Sequence, residues 1–289
     1  MSDDTAGLDE IGDWSVDKLR ILKDYSATYA IVLQNQRNER TGKKQFFTGY
    51  IDAFAGAGEH IHRGTGQVVK GSPLIALELA TQFDHYDFID LDPVRVQRLQ
   101  KLAERRNNVS VYHGDCNDVL LKIVLPKYPR TKYRRALCFL DPYSLQLDWK
   151  VLQTAGHMRS VDIFLNFPIH DMNRNAKRKS IDDVDPTSRA RMTKFWGDES
   201  WHAAMFSPSK QASLPGLFGE DVTPELEKVD QASFVAAFRE RLKKVAGFEF
   251  VPEPVAMKIP QGAVVYFLFF ASNNQTGARI ANDIMKKYR

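Results

Sequence analysis

The chain has very little cysteine. Cys116 and Cys138 are the only two in 289 residues, so neither a disulfide framework nor a zinc centre built on cysteine is possible. It also has no long hydrophobic run: nothing approaches the eighteen or so apolar residues of a membrane span. Its opening, MSDDTAGLDE, is acidic where a secretory signal begins basic. A cytoplasmic location with no membrane partner is therefore expected. Charge of one sign is scarce as well, since the formal net charge is +4, and its distribution says more than its sum. What the chain does have is apolar material, 43% hydrophobic and 11% aromatic residues, enough for a full core. At this length, one large α/β fold with an elaboration is expected.

From Trp14 to about Asn38, Leu19, Leu22, Tyr25, Tyr29, Val32 and Leu33 recur at helical spacing, with Ser15 as the expected N-cap. Strand and helix patterns then alternate. FFTGYIDAF, YDFID, VSVYHGD, ALCFLDP and VDIFLNFP read as strands. SPLIALELATQF, PVRVQRLQKLAERR, CNDVLLKIVL and DWKVLQTAG read as the helices between them. Five short apolar runs separated by helices predict a Rossmann-like, mostly parallel sheet. After Pro168 the alternation stops, and 170–229 reads as a helical insertion. The helix QASFVAAFRERLKKVAG follows, then FEFVPEPVAMKI and AVVYFLFFAS as an antiparallel hairpin, then a last helix. The expected organisation is an N-terminal helical extension over 1–45 and a main domain over 46–289.

In a parallel sheet of this kind, ligands sit beyond the carboxyl ends of the strands. Each early strand ends there in an acid: Asp52, then Asp90 and Asp92, then Asp115, then Asp141. Buried or half-buried carboxylates need partners, and a ligand with hydroxyls, an ammonium and an exocyclic amine supplies them. Gly56 and Gly58 permit a close approach of backbone to that ligand. A dinucleotide would favour G-x-G-x-x-G opening directly into a helix, yet this loop lacks the third glycine and continues through GEHIHRGTGQVVKGSP. S-adenosylmethionine, which needs no phosphate cradle, suits the pattern better. GTGQVVKGS lacks the G-K-S order of a phosphate-binding loop. D-L-D-P-V lies on the second strand rather than the first, unlike a haloacid-dehalogenase nucleophile. His60 and His62 have no third ligand near them in sequence and read as surface loop residues, so no metal is expected.

YIDAFAGAG, FIDLDP, HGDC and FLDPY, in that order and at those separations, resemble the successive motifs of class I S-adenosylmethionine-dependent methyltransferases. The likeness spans 46–168 and 248–272. Within that class, DAFAGAG followed by KGSPLIALEL, then FIDLDP and FLDPYS, resembles the bacterial three-Cys-motif partner proteins (TcmP). AGAG, GSP and DPY give a more distant likeness to ribosomal-RNA adenine-N6 methyltransferases of the RlmJ type. The resemblance implies that Asp52, Phe54, Gly56 and Gly58 line the methionine end. It places Asp90 at the ribose, with Asp92 as its rival, and Asp115 at the adenine with Cys116 beside it.

It also implies that Asp141 and the Pro142 carbonyl orient a target amine while Tyr143 stacks on a flipped or unpaired base. The second proline of the family pattern is missing here. Cytosine C5 chemistry would need a cysteine beside proline in that loop, and neither cysteine is so placed. Asn166 and Phe167, which end the fifth strand, are candidate substrate contacts. Arg174, Lys177, Arg178 and Lys179 open the insertion on the same side and suit a phosphate backbone, RNA before DNA. The expected activity is methylation of nucleic acid, an adenine amine in RNA being the specific expectation. The alternatives are a non-catalytic module acting with a three-Cys-motif protein, and a methyltransferase for protein or small molecules.

Overall fold

A computed structural model describes residues 7–175, 181–208, 226–259 and 261–289. The short strand β1 (Asp9–Ile11) leads into helix α1 (Asp13–Asn35). Its N-cap is Gly12 rather than Ser15, which lies buried in the first turn. The main sheet then forms from β2 (Phe47–Asp52), β5 (His85–Asp90), β6 (Val109–His113), β7 (Arg134–Leu140), β8 (Val161–Phe167), β11 (Val255–Lys258) and β12 (Val264–Ala271). Their spatial order is β11-β12-β8-β7-β2-β5-β6. Neighbours from β6 to β8 run parallel, while β12 is antiparallel to both β8 and β11. Order and directions are those of the class I methyltransferase fold. The strand order reverses between β2 and β7, so Asp52 and Asp141 end neighbouring strands at the switch point.

Helices α1, α2 (Ser72–Leu77), α3 (Pro93–Ala103) and α10 (Gln275–Met285) pack on one face. On the other lie α4 (Cys116–Val119), α5 (Trp149–Met158), α7 (Pro186–Trp196), α8 (Ser200–Met205) and α9 (Gln231–Lys244). The α1 residues Ile21, Leu22, Tyr25 and Leu33 share a core with Tyr50, Phe88, Phe164 and Phe270 of the sheet. The insertion is likewise built into the other core, where Phe195, Trp196 and Trp201 meet Phe234 and Phe238 of α9. It begins with α6 (Ile169–Asn175) and also carries the hairpin of β9 (Phe206–Pro208) and β10 (Leu226–Lys228).

Three local expectations change. The helix starting at Ser72 stops at Leu77, where the Gln82 amide donates to the Leu77 carbonyl and closes its end. Pro252 and Pro254 cannot donate to a ladder, so the penultimate strand is confined to 255–258. The stretch after Gly58 is a hairpin, β3 (Glu59–His62) with β4 (Val68–Lys70), and β1 adds to it alongside β3. The hairpin returns so closely that Gly71 N donates to Gly58 O at 2.8 Å. A Cβ on Gly71 would lie 2.9 Å from that oxygen. The long loop is therefore an excursion that brings α2 back beside the glycine turn. No described helix is long and apolar enough to cross a membrane.

Candidate active site

The turn after β2 lies across the carboxyl ends of three strands. Ala53 N donates to Phe139 O, Ala55 N to Ile89 O, and Gly56 N to the Asp90 carboxylate at 2.8 Å. Gly56 (φ 63°) and Gly58 (φ 86°) have left-handed backbone, which glycine adopts without strain. Two cavities flank this turn, and Phe54 and Tyr143 line both.

The larger cavity, about 640 Å³, is lined by Asp90, Asp92, Asp115, Cys116, Leu145 and Lys194 among others. Its acids are held by backbone. Asp90 is buried and takes N–H groups from Gly56 and, at 2.9 Å, from Asp92. Asp92 Oδ1 caps α3 through Val94 N and Arg95 N at 2.8 and 3.0 Å. Asp115 Oδ1 caps α4 through Asn117 N at 2.8 Å. Each carboxylate keeps lone pairs for a ligand. Burial pushes the Cys116 thiol up to about 12, which removes it as a nucleophile.

The smaller cavity, about 310 Å³, is lined by Asp141 together with Trp14, Lys18, His60, Asn166 and Tyr266. Lys18, only 5% exposed, pairs its ammonium with Asp141. Asn166 Nδ2 donates to the other Asp141 oxygen at 2.7 Å. The Tyr143 hydroxyl donates to Asp9 at 2.6 Å and accepts from Arg95 at 2.9 Å, while the Arg95 guanidinium covers the ring and also pairs with Asp9 at 2.6 Å. β1 thus straps the loop that follows β7.

Several expectations are corrected. Asp52 is wholly buried beneath the turn and lines neither cavity; its Oδ1 has no hydrogen-bond partner. Burial, opposed by the Ser72 hydroxyl and reinforced by the Asp141 charge, pushes its carboxyl up to about 7. Phe167 is fully buried and packs on Phe238 with ring centroids 4.3 Å apart, so it belongs to the core and not to a substrate surface. Asn166, though buried, lines the smaller cavity, where its amide donates to Asp141. His60 faces the smaller cavity instead of the outer surface, because the hairpin folds back. Arg174 pairs with Asp171 at 3.0 Å and lines neither cavity; Lys177, Arg178 and Lys179 lie outside the described residues. In their place, Arg191 and Lys194 of α7 border the larger cavity, with Lys194 held by Asp148 at 2.8 Å.

Lys18 is the important residue that sequence reasoning passed over. It sits on the same helical stripe as Leu22 and Tyr25, and a lysine on an apolar stripe was a readable signal. Asp9 and Arg95 carried no such mark.

No family model matches the chain, and no curated protein matches it. Similar solved structures exist at low identity. One is LPL1258 of Legionella pneumophila str. Philadelphia 1, of family model DUF519, with 12% identity over 93% of this chain and 92% of that one and a TM-score of 0.46. A protein of Thermobifida fusca YX described as a candidate methyltransferase shows 11% identity over 90% and 81%, with a TM-score of 0.44. The methyltransferase domain of bacterial CtHen1 shows 10% identity over 87% and 99%, with a TM-score of 0.37.

Proposed function

We propose that this protein is an S-adenosylmethionine-dependent methyltransferase acting on an amine of an unpaired base in nucleic acid, an adenine amine in RNA being the specific reading. One observation carries it: at the switch point, a cavity rimmed by fixed acids adjoins a second one lined by Asp141, and Phe54 of the turn between strand and glycines lines both. The larger cavity has the volume of a cofactor site. Asp90, preset by two backbone donors, suits the ribose hydroxyls, and Asp115 suits the adenine amine. The turn at Gly56 and Gly58, above the orphaned Asp52 oxygen, suits the methionine end. The cofactor supplies an electrophilic methyl group on a sulfonium.

The chain's own residues do the positioning. Lys18 and Asn166 fix the Asp141 carboxylate from two sides, leaving lone pairs to accept an N–H of the target amine. Accepting that hydrogen orients the nitrogen for attack, a gain of alignment and electrostatics more than of proton transfer. Trp14 and Tyr266, stacked with centroids 5.0 Å apart, form an aromatic wall for the base. Tyr143, whose hydroxyl is tied and one face covered, serves as the partition between base and cofactor. Arg191, at the border of the larger cavity, supplies a cation for phosphate in this reading.

Calorimetry with S-adenosylhomocysteine, followed by transfer of labelled methyl to mixed RNA and DNA, tests the reading. Binding with label in RNA is expected. Absence of binding at millimolar ligand would remove it.

A further inference from the structure

The end of the sheet remote from the cleft carries a second constellation. A cavity of about 150 Å³ opens there between α1, α10 and the start of β8. Its wall is aromatic and apolar, from Tyr29, Leu33 and Ile280. Its floor is polar. Tyr25 is 1% exposed, yet its hydroxyl has no hydrogen-bond partner. A Cβ on Gly277 would lie 3.1 Å from that hydroxyl and 3.5 Å from Asp162 Oδ2. The missing side chain at 277 therefore keeps open a space that a buried hydroxyl, a half-buried carboxyl and the first turn of α10 all face. The Asp162 carboxyl, whose other oxygen accepts from Ser272 at 2.6 Å, is pushed up to about 7 by burial. A ligand with both donors and acceptors would satisfy this floor.

The rim is cationic, with Arg130, Arg135 and Arg159. Arg159 pairs with Glu249. The segment 122–135 holds six basic residues and no acid. Lys122 and Lys127 are paired with Asp118 and Asp87, and the Arg135 charge acts on Asp162; Arg130, Lys132 and Arg134 have no salt bridge to an acid among the described residues. Aromatic rings alternate with these cations. The Arg135 guanidinium covers Phe46 at 4.6 Å, Phe46 meets Tyr133 at 6.4 Å, and Arg134 covers Phe47 at 4.7 Å. Tyr133 is 54% exposed and Phe47 36%. The adjoining loop adds Arg37, Arg40 and Lys43 against Glu39. An acidic peptide would need the cations alone; cations interleaved with open rings match phosphates interleaved with bases.

We propose that this rear surface binds single-stranded nucleic acid, with one nucleotide in the cavity, its base edge toward Tyr25 and Asp162 and its phosphate at Arg130 and Arg135. A neighbouring base stacks on the exposed ring of Tyr133. β2 is six residues long, so the surface lies roughly 20 Å from the cleft. The site is independent of methyl transfer and does not need the cleft to be catalytic.

The test is fluorescence-anisotropy titration of the intact protein with a labelled, short, mixed-sequence RNA at several salt concentrations. The exposed double reversal Arg130→Glu/Lys132→Glu is expected to weaken binding at least about tenfold at low salt. It should also flatten the slope of log affinity against log salt by about 1.4, two phosphates' worth. Gly277→Ala, which places a methyl group against the Tyr25 hydroxyl, is expected to weaken binding severalfold. Melting temperature and S-adenosylhomocysteine affinity, both unchanged, would show that the variants are folded. Wild-type affinity in either variant would overturn the proposal. So would loss of all binding on Arg174→Glu/Arg191→Glu alone, competition by polyglutamate as strong as by RNA, or no binding of RNA by the unaltered protein.

Discussion

The two cavities at the cleft are built by different means. In the larger one, the acids are fixed by backbone N–H groups, mostly within a few residues of themselves: Asp92 by Val94 and Arg95, Asp115 by Asn117, and Asp90 by Asp92 and by the more distant Gly56. In the smaller one, they are fixed by side chains far off in sequence. Lys18 and Asp141 are 123 residues apart, Asp9 and Tyr143 are 134 apart. A cap is worth about 1 kcal/mol and its loss is local. A buried ion pair is a different case, because removing one partner leaves the other uncompensated at about 3–5 kcal/mol. The larger cavity should therefore tolerate substitution, and the smaller one should not.

The largest expected effect lies under both cavities, at Asp52. Its carboxyl is near 7 when folded and near 3.8 when unfolded, so between those values the unfolded chain is ionised while the folded one keeps its proton. Unfolding then releases a proton, and stability falls as pH rises from about 4 to about 7, by of the order of 4 kcal/mol from this group. In Asp52→Asn that decline should shrink when urea unfolding is measured across the window, leaving the similar contribution of Asp162. An unchanged pH profile would refute the shift.

Next comes Asp141→Asn. Methyl transfer should drop by about 100-fold or more, with S-adenosylhomocysteine affinity kept within twofold. Full transfer activity in this variant would place the amine elsewhere. Lys18→Met should reduce the turnover number at least tenfold without weakening the cofactor product, since the lysine touches Asp141 and not the larger cavity. If instead product binding fell and turnover held, the two cavities would have exchanged roles.

The smallest effects test the contrast itself. Asp115→Ala should cost about 1 kcal/mol of stability through its cap and a few-fold in cofactor affinity. Asp115→Asn should restore the stability but not the affinity, as differential scanning fluorimetry and calorimetry would read. Asp9→Asn should loosen the strap on Tyr143 by only about 0.2–1 kcal/mol, the range of a partly exposed pair, visible as a modest rise in KM.

Much of the fold was legible. The alternation of apolar runs with helical periodicity predicted the five parallel strands, and the last two appeared as the expected antiparallel pair. The acids at strand ends were visible because each ends or closely follows an apolar run, and Asp92 and Asp115 each open a helix. Other placements were not visible. Phe167 ends a strand as a ligand contact would, yet α9 covers it. His60 looked peripheral until a hairpin returned Gly71 to Gly58. Two prolines shortened a strand whose hydrophobic pattern read as longer.

The sequence by itself determined the strands, the glycine turn and the row of acids, since each rests on interactions between residues close along the chain, where periodicity and capping act. Only the tertiary structure decided that α1 brings Lys18 to Asp141, that β1 ties Tyr143, and that Asp52 is sealed beneath the turn. Those depend on which surfaces meet when the helices pack on the sheet, and pairings between distant residues leave no spacing to read.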